Sequence, residues 1–131
     1  MPASAQTLQV AYLLDEEKHA ALNHKGRNYW AVYLAEVFDR LGLTARRINR
    51  AALAKAEAIA DYAVICLGDL DARDLPDRAL PNLRRWVGRG GVLIAYNFSG
   101  ADELFGNEGA QTVAQKGDPF HITGYLELTR R

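Results

Sequence analysis

The chain has little of several things that would declare a function outright. It holds one cysteine in 131 residues, which excludes an internal disulfide and any zinc site built from several thiolates. No apolar run approaches the roughly 20 residues needed to span a bilayer, so no membrane partner is expected. Neither sign of charge is in excess. Sixteen Lys and Arg balance sixteen Asp and Glu, and zero net charge offers nucleic acid or an anionic membrane no electrostatic reason to bind. No G-x-G-x-x-G and no G-x-x-x-x-G-K-S/T follows the first strand candidate. Dinucleotide and P-loop phosphate binding therefore lack a motif, and no cofactor is expected. Residues 1–7 lack the charged start and apolar core of a signal peptide, so a cytoplasmic location is the default expectation.

What is present is ordinary globular material, 49% hydrophobic and 24% charged. The length suits one domain with a single core, residues 1–131, standing alone or as a piece of a longer multidomain chain. The most informative stretch is 82–100, where an amphipathic helix runs into Gly90-Gly91, a buried strand at 92–96 and a polar loop at 97–100. Similar units lie upstream. Residues 8–14 form a strand candidate ending at Asp15, and the polar stretch 16–27 reads as a loop. Trp30, Tyr33, Leu34, Val37, Phe38 and Leu41 then make one stripe at helical spacing, with Asn28 as N-cap and Gly42 as the stop. A short, more polar strand at 44–48 suits an edge, and the alanine-rich stretch 51–60 a short helix. The apolar run 62–67, ended by Gly68-Asp69, fits a parallel strand covered on both faces. Pro76 or Asp77 opens the next helix, with Pro81 in its first turn. The order predicts an α/β fold: a three-layer, doubly wound domain with a parallel sheet ordered 2-1-3-4. Residues 125–128 alternate like one further C-terminal strand, and 101–105 like a helical turn.

In such a sheet the strands' carboxyl ends share one rim, where ligands bind. The candidate binding residues there are Asp15, His19 and His24 after the first strand, Asp69 after the third, and Asn97, Ser99 and Asp102 after the fourth. Asp and His are metal ligands, but this spacing matches no metal motif and no metal site is assigned. Cys66 lies inside an apolar run, where ionisation is disfavoured, so it reads as core. Ser99 lacks the G-x-S-x-G elbow, since Asn97 stands two residues before it. His121 has no carboxylate close behind it and reads as a packed or surface residue. Trp30, Trp86 and most tyrosines read as core, and Arg84-Arg85 and the cluster Arg46-Arg47 with Arg50 as solvated faces. No catalytic residue is assigned.

Residues 8–15, 29–42, 62–68 and 86–106 together resemble the class I glutamine-amidotransferase-like superfamily, flavodoxin-like in its winding. The similarity is strongest to its non-catalytic branch, exemplified by the beta-galactosidase trimerisation domain, with trehalose-utilisation-like proteins as a further relative. Its most specific segment is Gly90-Gly91 leading into a strand and then Ser99-Gly100-Ala101-Asp102-Glu103. Active amidotransferases place a cysteine just after this strand and a His-x-Glu pair later. Here Tyr96 or Asn97 takes the cysteine position, and His121 is followed by Ile122-Thr123.

The resemblance implies a catalytically silent module for assembly or small-ligand binding beside a carbohydrate-active partner. It would act as a homo-oligomer or as an adjacent domain of such a protein. Two alternatives stand beside it. One is a metal- or sugar-dependent hydrolase using Asp15, His19, His24 and Asp69. The other is a receiver-like signalling domain, whose acidic pocket is echoed by Asp15-Glu16-Glu17 and Asp69 but whose lysine finds only Lys116.

Overall fold

The computed structural model describes residues 8–107. The chain divides into two compact units, Met1–Ala101 and Asp102–Arg131. Of the second, the described part is a 3-10 turn, Asp102–Phe105, where a helical turn is expected. The expected strand at 125–128, His121 and the stretch 1–7 lie outside the described residues. Among those described, no helix is long and apolar enough to cross a membrane.

The first unit is built on a four-stranded sheet, every pair parallel: β1 Val10–Leu13, β2 Ala45–Ile48, β3 Val64–Asp71 and β4 Val92–Ser99. Its order is β2-β1-β3-β4, the doubly wound arrangement expected from the alternation of patterns. β3 is central and buried at six successive positions, which accounts for its unbroken apolar run. The two edges differ. β2 turns Arg46 and Arg47 to solvent, a charged edge that discourages further strand pairing. β4 carries no charged residue in eight.

The register sorts the side chains onto two faces. Val10 and Tyr12 align with Val64 and Cys66, and these with Val92 and Ile94. Phe38 of α2 (Leu34–Arg40) covers this face around Val10 and Cys66, with Tyr12, Val64 and Tyr96 packed alongside. The opposite face holds Ala11, Leu13, Ile65 and Leu67, all fully buried. α3 (Arg50–Leu53), α4 (Ala56–Ile59) and α5 (Ala79–Gly88), on the connections that follow β2 and β3, contribute buried Leu53, Ile59, Leu83 and Trp86, and the right-handed rule for parallel connections assigns them to this face. Each such large side chain supplies about 1.5–3 kcal/mol of transfer free energy.

Several elements differ from expectation, each for a physical reason. The stretch read as a loop after β1 is a helix, α1 (Glu16–His24). Asp15 caps it by accepting from the Lys18 N–H at 3.1 Å, and Glu16 and Glu17 complement its dipole. It buries no residue, so no apolar period marked it. The stripe from Trp30 is not one helix. A 3-10 turn, Trp30–Tyr33, precedes α2, and Asn28 caps neither. Of the stripe, Phe38 alone is buried, while Trp30, Tyr33, Val37 and Leu41 are about half exposed or more, at 54, 53, 47 and 64%. Trp30 and Tyr33 are thus surface residues, whereas Tyr29 and Trp86 are core. The alanine-rich stretch is two short helices, separated at the extended Lys55. Gly68-Asp69 does not end the third strand. β3 continues to Asp71, because Asp69 adopts a left-handed φ of 50° without breaking the register on either side.

Two glycines are fixed by neighbouring rings. A Cβ on Gly68 would lie 2.0 Å from Tyr96 Cζ, and one on Gly91 would lie 2.3 Å from the Trp86 ring. Gly88, at the end of α5, has open space around it. Gly68→Ala and Gly91→Ala are therefore expected to lower stability by about 1–3 kcal/mol each through overpacking. Gly88→Ala is expected to raise it by about 0.5–1 kcal/mol through helix propensity. Urea denaturation midpoints of the three variants check the contrast, and equal effects at all three positions would contradict it.

Candidate functional site

The crevice at the carboxyl ends of β1, β2 and β3 lies at the point where the strand order reverses, the place where open α/β sheets bind ligands. A cleft of about 530 Å³ opens there, lined by Asp15, Glu17, Asn49, Arg50, Asp74 and Pro76 among others. Asp15 is buried, and its backbone N–H donates to the Tyr29 hydroxyl at 2.8 Å. Its Oδ2 meets Arg50 Nε at 2.8 Å as an ion pair. The same guanidinium donates to Glu17 Oε2 and to the Asp74 carbonyl, both at 3.0 Å. Lys18 reaches Asp74 at 3.3 Å, and Glu16 pairs with Arg47 of β2. The cleft is thus walled by carboxylates organised around one arginine, a surface that suits donors such as ligand hydroxyls.

Asp69 is the second anchor of this end of the sheet. It is buried inside β3, and its Oδ2 accepts from the backbone N–H groups of Trp30 at 2.6 Å and Ala31 at 3.1 Å. Its Oδ1 accepts from the Asn97 side-chain amide at 2.8 Å. Asn97 sits beside it in β4, also left-handed, with φ 47°. Two adjacent strands therefore carry a left-handed residue at the same level of the sheet. Asp and Asn are the non-glycine residues that tolerate this best.

Further along, Asp71 accepts from Arg73 through both carboxylate oxygens at 2.9 Å and from Ser99 Oγ at 3.0 Å. These hydrogen bonds, led by those from Arg73, hold the Asp71 carboxyl well below the usual carboxylate range. Burial pushes the Cys66 thiol up, in keeping with a core cysteine. It also raises Tyr29 and Tyr96, with the Asp69 charge adding to both. Among the described residues the buried Tyr96 hydroxyl has no hydrogen-bond partner.

The candidate rim residues are thus dispersed over distinct roles. Asp15 and Asp69 are tied to one loop, through Tyr29 and through Trp30 and Ala31 respectively. Asn97 joins Asp69, and Ser99 joins Asp71 rather than either of them. Both Asn97 and Ser99 lie within β4 rather than in a loop after it. His19 stacks on Tyr29 with ring centroids 5.3 Å apart, whereas His24 is exposed at the end of α1. Asp102 belongs to the second unit. Among the described residues no group of three or more Asp, Glu, His or Cys is placed to hold a metal ion. Sequence reasoning missed Tyr29 and read Arg50 as part of a solvated face. Arg50 was within reach, since it directly follows the second strand, whose carboxyl end had not been counted in the rim.

Comparison of the chain with protein-family models, with curated proteins and with solved structures returns no match. The class defined by fold and crevice is a doubly wound, parallel α/β domain.

Two outcomes follow from this geometry. Asp69→Ala leaves two N–H groups and the Asn97 amide without their acceptor, and is expected to cost about 2–4 kcal/mol in urea unfolding. Asp69→Asn, which keeps one acceptor and tolerates the left-handed backbone, is expected to cost less. Separately, the raised tyrosines make the fold base-sensitive. Above the unfolded value near 10, unfolded Tyr29 and Tyr96 ionise while the native ones keep their protons. Their contribution is complete below that pH and is lost as pH rises past it. Absorbance titration of tyrosinate should show a late component that Tyr96→Phe reduces; no change in that variant would remove the assignment.

Proposed function

We propose that this chain is a catalytically silent, amidotransferase-like module that works by assembly, with the outer edge of β4 as its docking surface and a second copy of the chain as its occupant. The observation that carries this reading is the edge itself. β4 stands last in the order of the described strands, runs eight residues, and has no lysine, proline or charge to discourage pairing. Val92 and Ile94 are 53 and 48% exposed along it. Self-association also meets no net repulsion, since the chain's formal charge is zero. A two-fold axis beside β4 would set the strand antiparallel to its copy, continue the sheet and bury the same patch on both partners.

The catalytic silence rests on Asn97. In the superfamily that the chain resembles, the nucleophile stands at this point of the sheet, and strained backbone commonly marks such positions. Here the strain is present at φ 47°, but the side chain is an amide engaged by Asp69. The same commitment of Asp69 weighs against the hydrolase and receiver-like readings, both of which need its carboxylate. A carbohydrate-active partner remains the inference from resemblance. The carboxylate-walled cleft at Arg50 favours small-ligand binding as a companion activity, with sugar hydroxyls as suitable donors.

Analytical ultracentrifugation over a concentration series tests the assembly. The wild-type chain is expected to form a dimer, and Ile94→Lys a monomer with an unchanged circular dichroism spectrum. A wild-type chain that stays monomeric at every concentration overturns the second copy as occupant, whether the edge is then covered by residues 108–131 or by an adjacent domain. A dimer that Ile94→Lys leaves intact overturns β4 as the surface.

A further inference from the structure

At the opposite end of the sheet, where β3 and β4 begin, a second groove of about 350 Å³ separates α4 from the C-terminal half of α5. Its apolar side is made by Ala56, Ile59, Ala60 and the Trp86 ring. That ring is held firmly: its Nε1–H donates to the Tyr62 carbonyl at 3.0 Å, and its face rests on Gly91, where no Cβ fits. The polar side is made by Arg85 and Arg89, both exposed, together with the buried Asn82 and with Asp61, which forms no ion pair with either arginine. Their spacing of four puts them one turn apart on the same face of the α5 C-terminus.

Among the described residues Arg85 and Arg89 meet no carboxylate within 4 Å, a state they share with Arg27, Arg46 and Arg78; what distinguishes them is that both line one groove. Like charges at this spacing repel. The helix C-terminus favours cations and offsets part of that repulsion. An anion seated between the two guanidiniums would offset the rest, through the charge-assisted, forked hydrogen bonds that guanidinium forms with carboxylate or phosphate.

We propose that this groove binds a small organic anion: a single carboxylate or phosphate group held by Arg85 and Arg89, carrying a flat apolar body laid against Trp86 and the alanines of α4. The volume lies in the range of small-molecule sites, about 300–1,000 Å³. The exposed alanines of α4 beside the small accessible part of Trp86, with two cations one turn apart on α5, provide for both parts of such a ligand. The proposal is independent of the β4 assembly and of the Arg50 cleft, since it uses no residue of either.

Trp86 lines the groove and reports on it directly. In the Trp30→Phe chain, Trp86 is the one remaining tryptophan. Titrating this chain with phenyl phosphate and with benzoate is expected to change its fluorescence saturably with at least one of them, more tightly than with inorganic phosphate or phenol. Which of the two binds better distinguishes a phosphate ester from a carboxylate as the natural headgroup. Arg85→Gln and Arg89→Gln are each expected to weaken binding about tenfold, the usual scale for losing one charge-assisted contact. Arg85→Lys is expected to retain part of it. Thermal unfolding of each variant confirms that the fold is intact. Absence of saturable binding by either aromatic anion overturns the proposal. So does saturable binding that the double Arg85→Gln, Arg89→Gln variant leaves unchanged.

Discussion

One buried carboxylate organises the carboxyl end of the sheet. Asp69 stands in the middle of the central strand, yet both of its oxygens face other elements. One oxygen takes the two N–H groups that open the Trp30–Tyr33 turn, and the other takes the amide of Asn97 on the neighbouring strand. A carboxylate out of water is tolerated only when its acceptor sites are filled in this way. Its hydrogen bonds fix where the chain returns from α1. They thereby place Tyr29 under the Asp15 backbone and His19 against the Tyr29 ring. The left-handed backbone at residues 69 and 97 turns these side chains toward one another within the sheet. The Asp69–Asn97 pair thus serves as a structural tie between the two strands.

The two edges of the sheet show the same economy. Arg47 on β2 is engaged by Glu16 at the start of α1, so that edge is both charged and occupied. β4 carries no charge, and its Val92 and Ile94 are exposed. The polar groups at the crevice, by contrast, are almost entirely satisfied by one another, with Arg50 serving two carboxylates and a carbonyl.

The parallel order of strands was legible because β3 is buried on both faces and reads as a continuous apolar run, while β2 reads as polar. Gly42 and Gly90 were legible as helix stops because their positive φ admits little else. α1 was not legible: a helix that buries nothing has no period to read, and its evidence lay in one capping aspartate. The stripe from Trp30 to Leu41 misled for the converse reason. Its period is real, but in the described unit most of it faces solvent, and the Asp69 hydrogen bonds impose a 3-10 turn on its first residues. At the site, Asp15, Asp69 and Asn97 were identifiable as residue types at strand ends. Their commitments were not, because these join residues 14 to 39 positions apart.

The glycine cradles carry a consequence for how such a chain changes over time. Gly68 and Tyr96 occupy one shared volume, as do Gly91 and Trp86. A larger residue at the glycine first requires a smaller one at the ring, since both large together collide and both small together leave a cavity. Descent from this sequence is therefore constrained to paired steps at these positions. Among diverged kin, columns 68 with 96 and 86 with 91 should covary, whereas Gly88 and Gly106, which meet nothing, answer to no such partner.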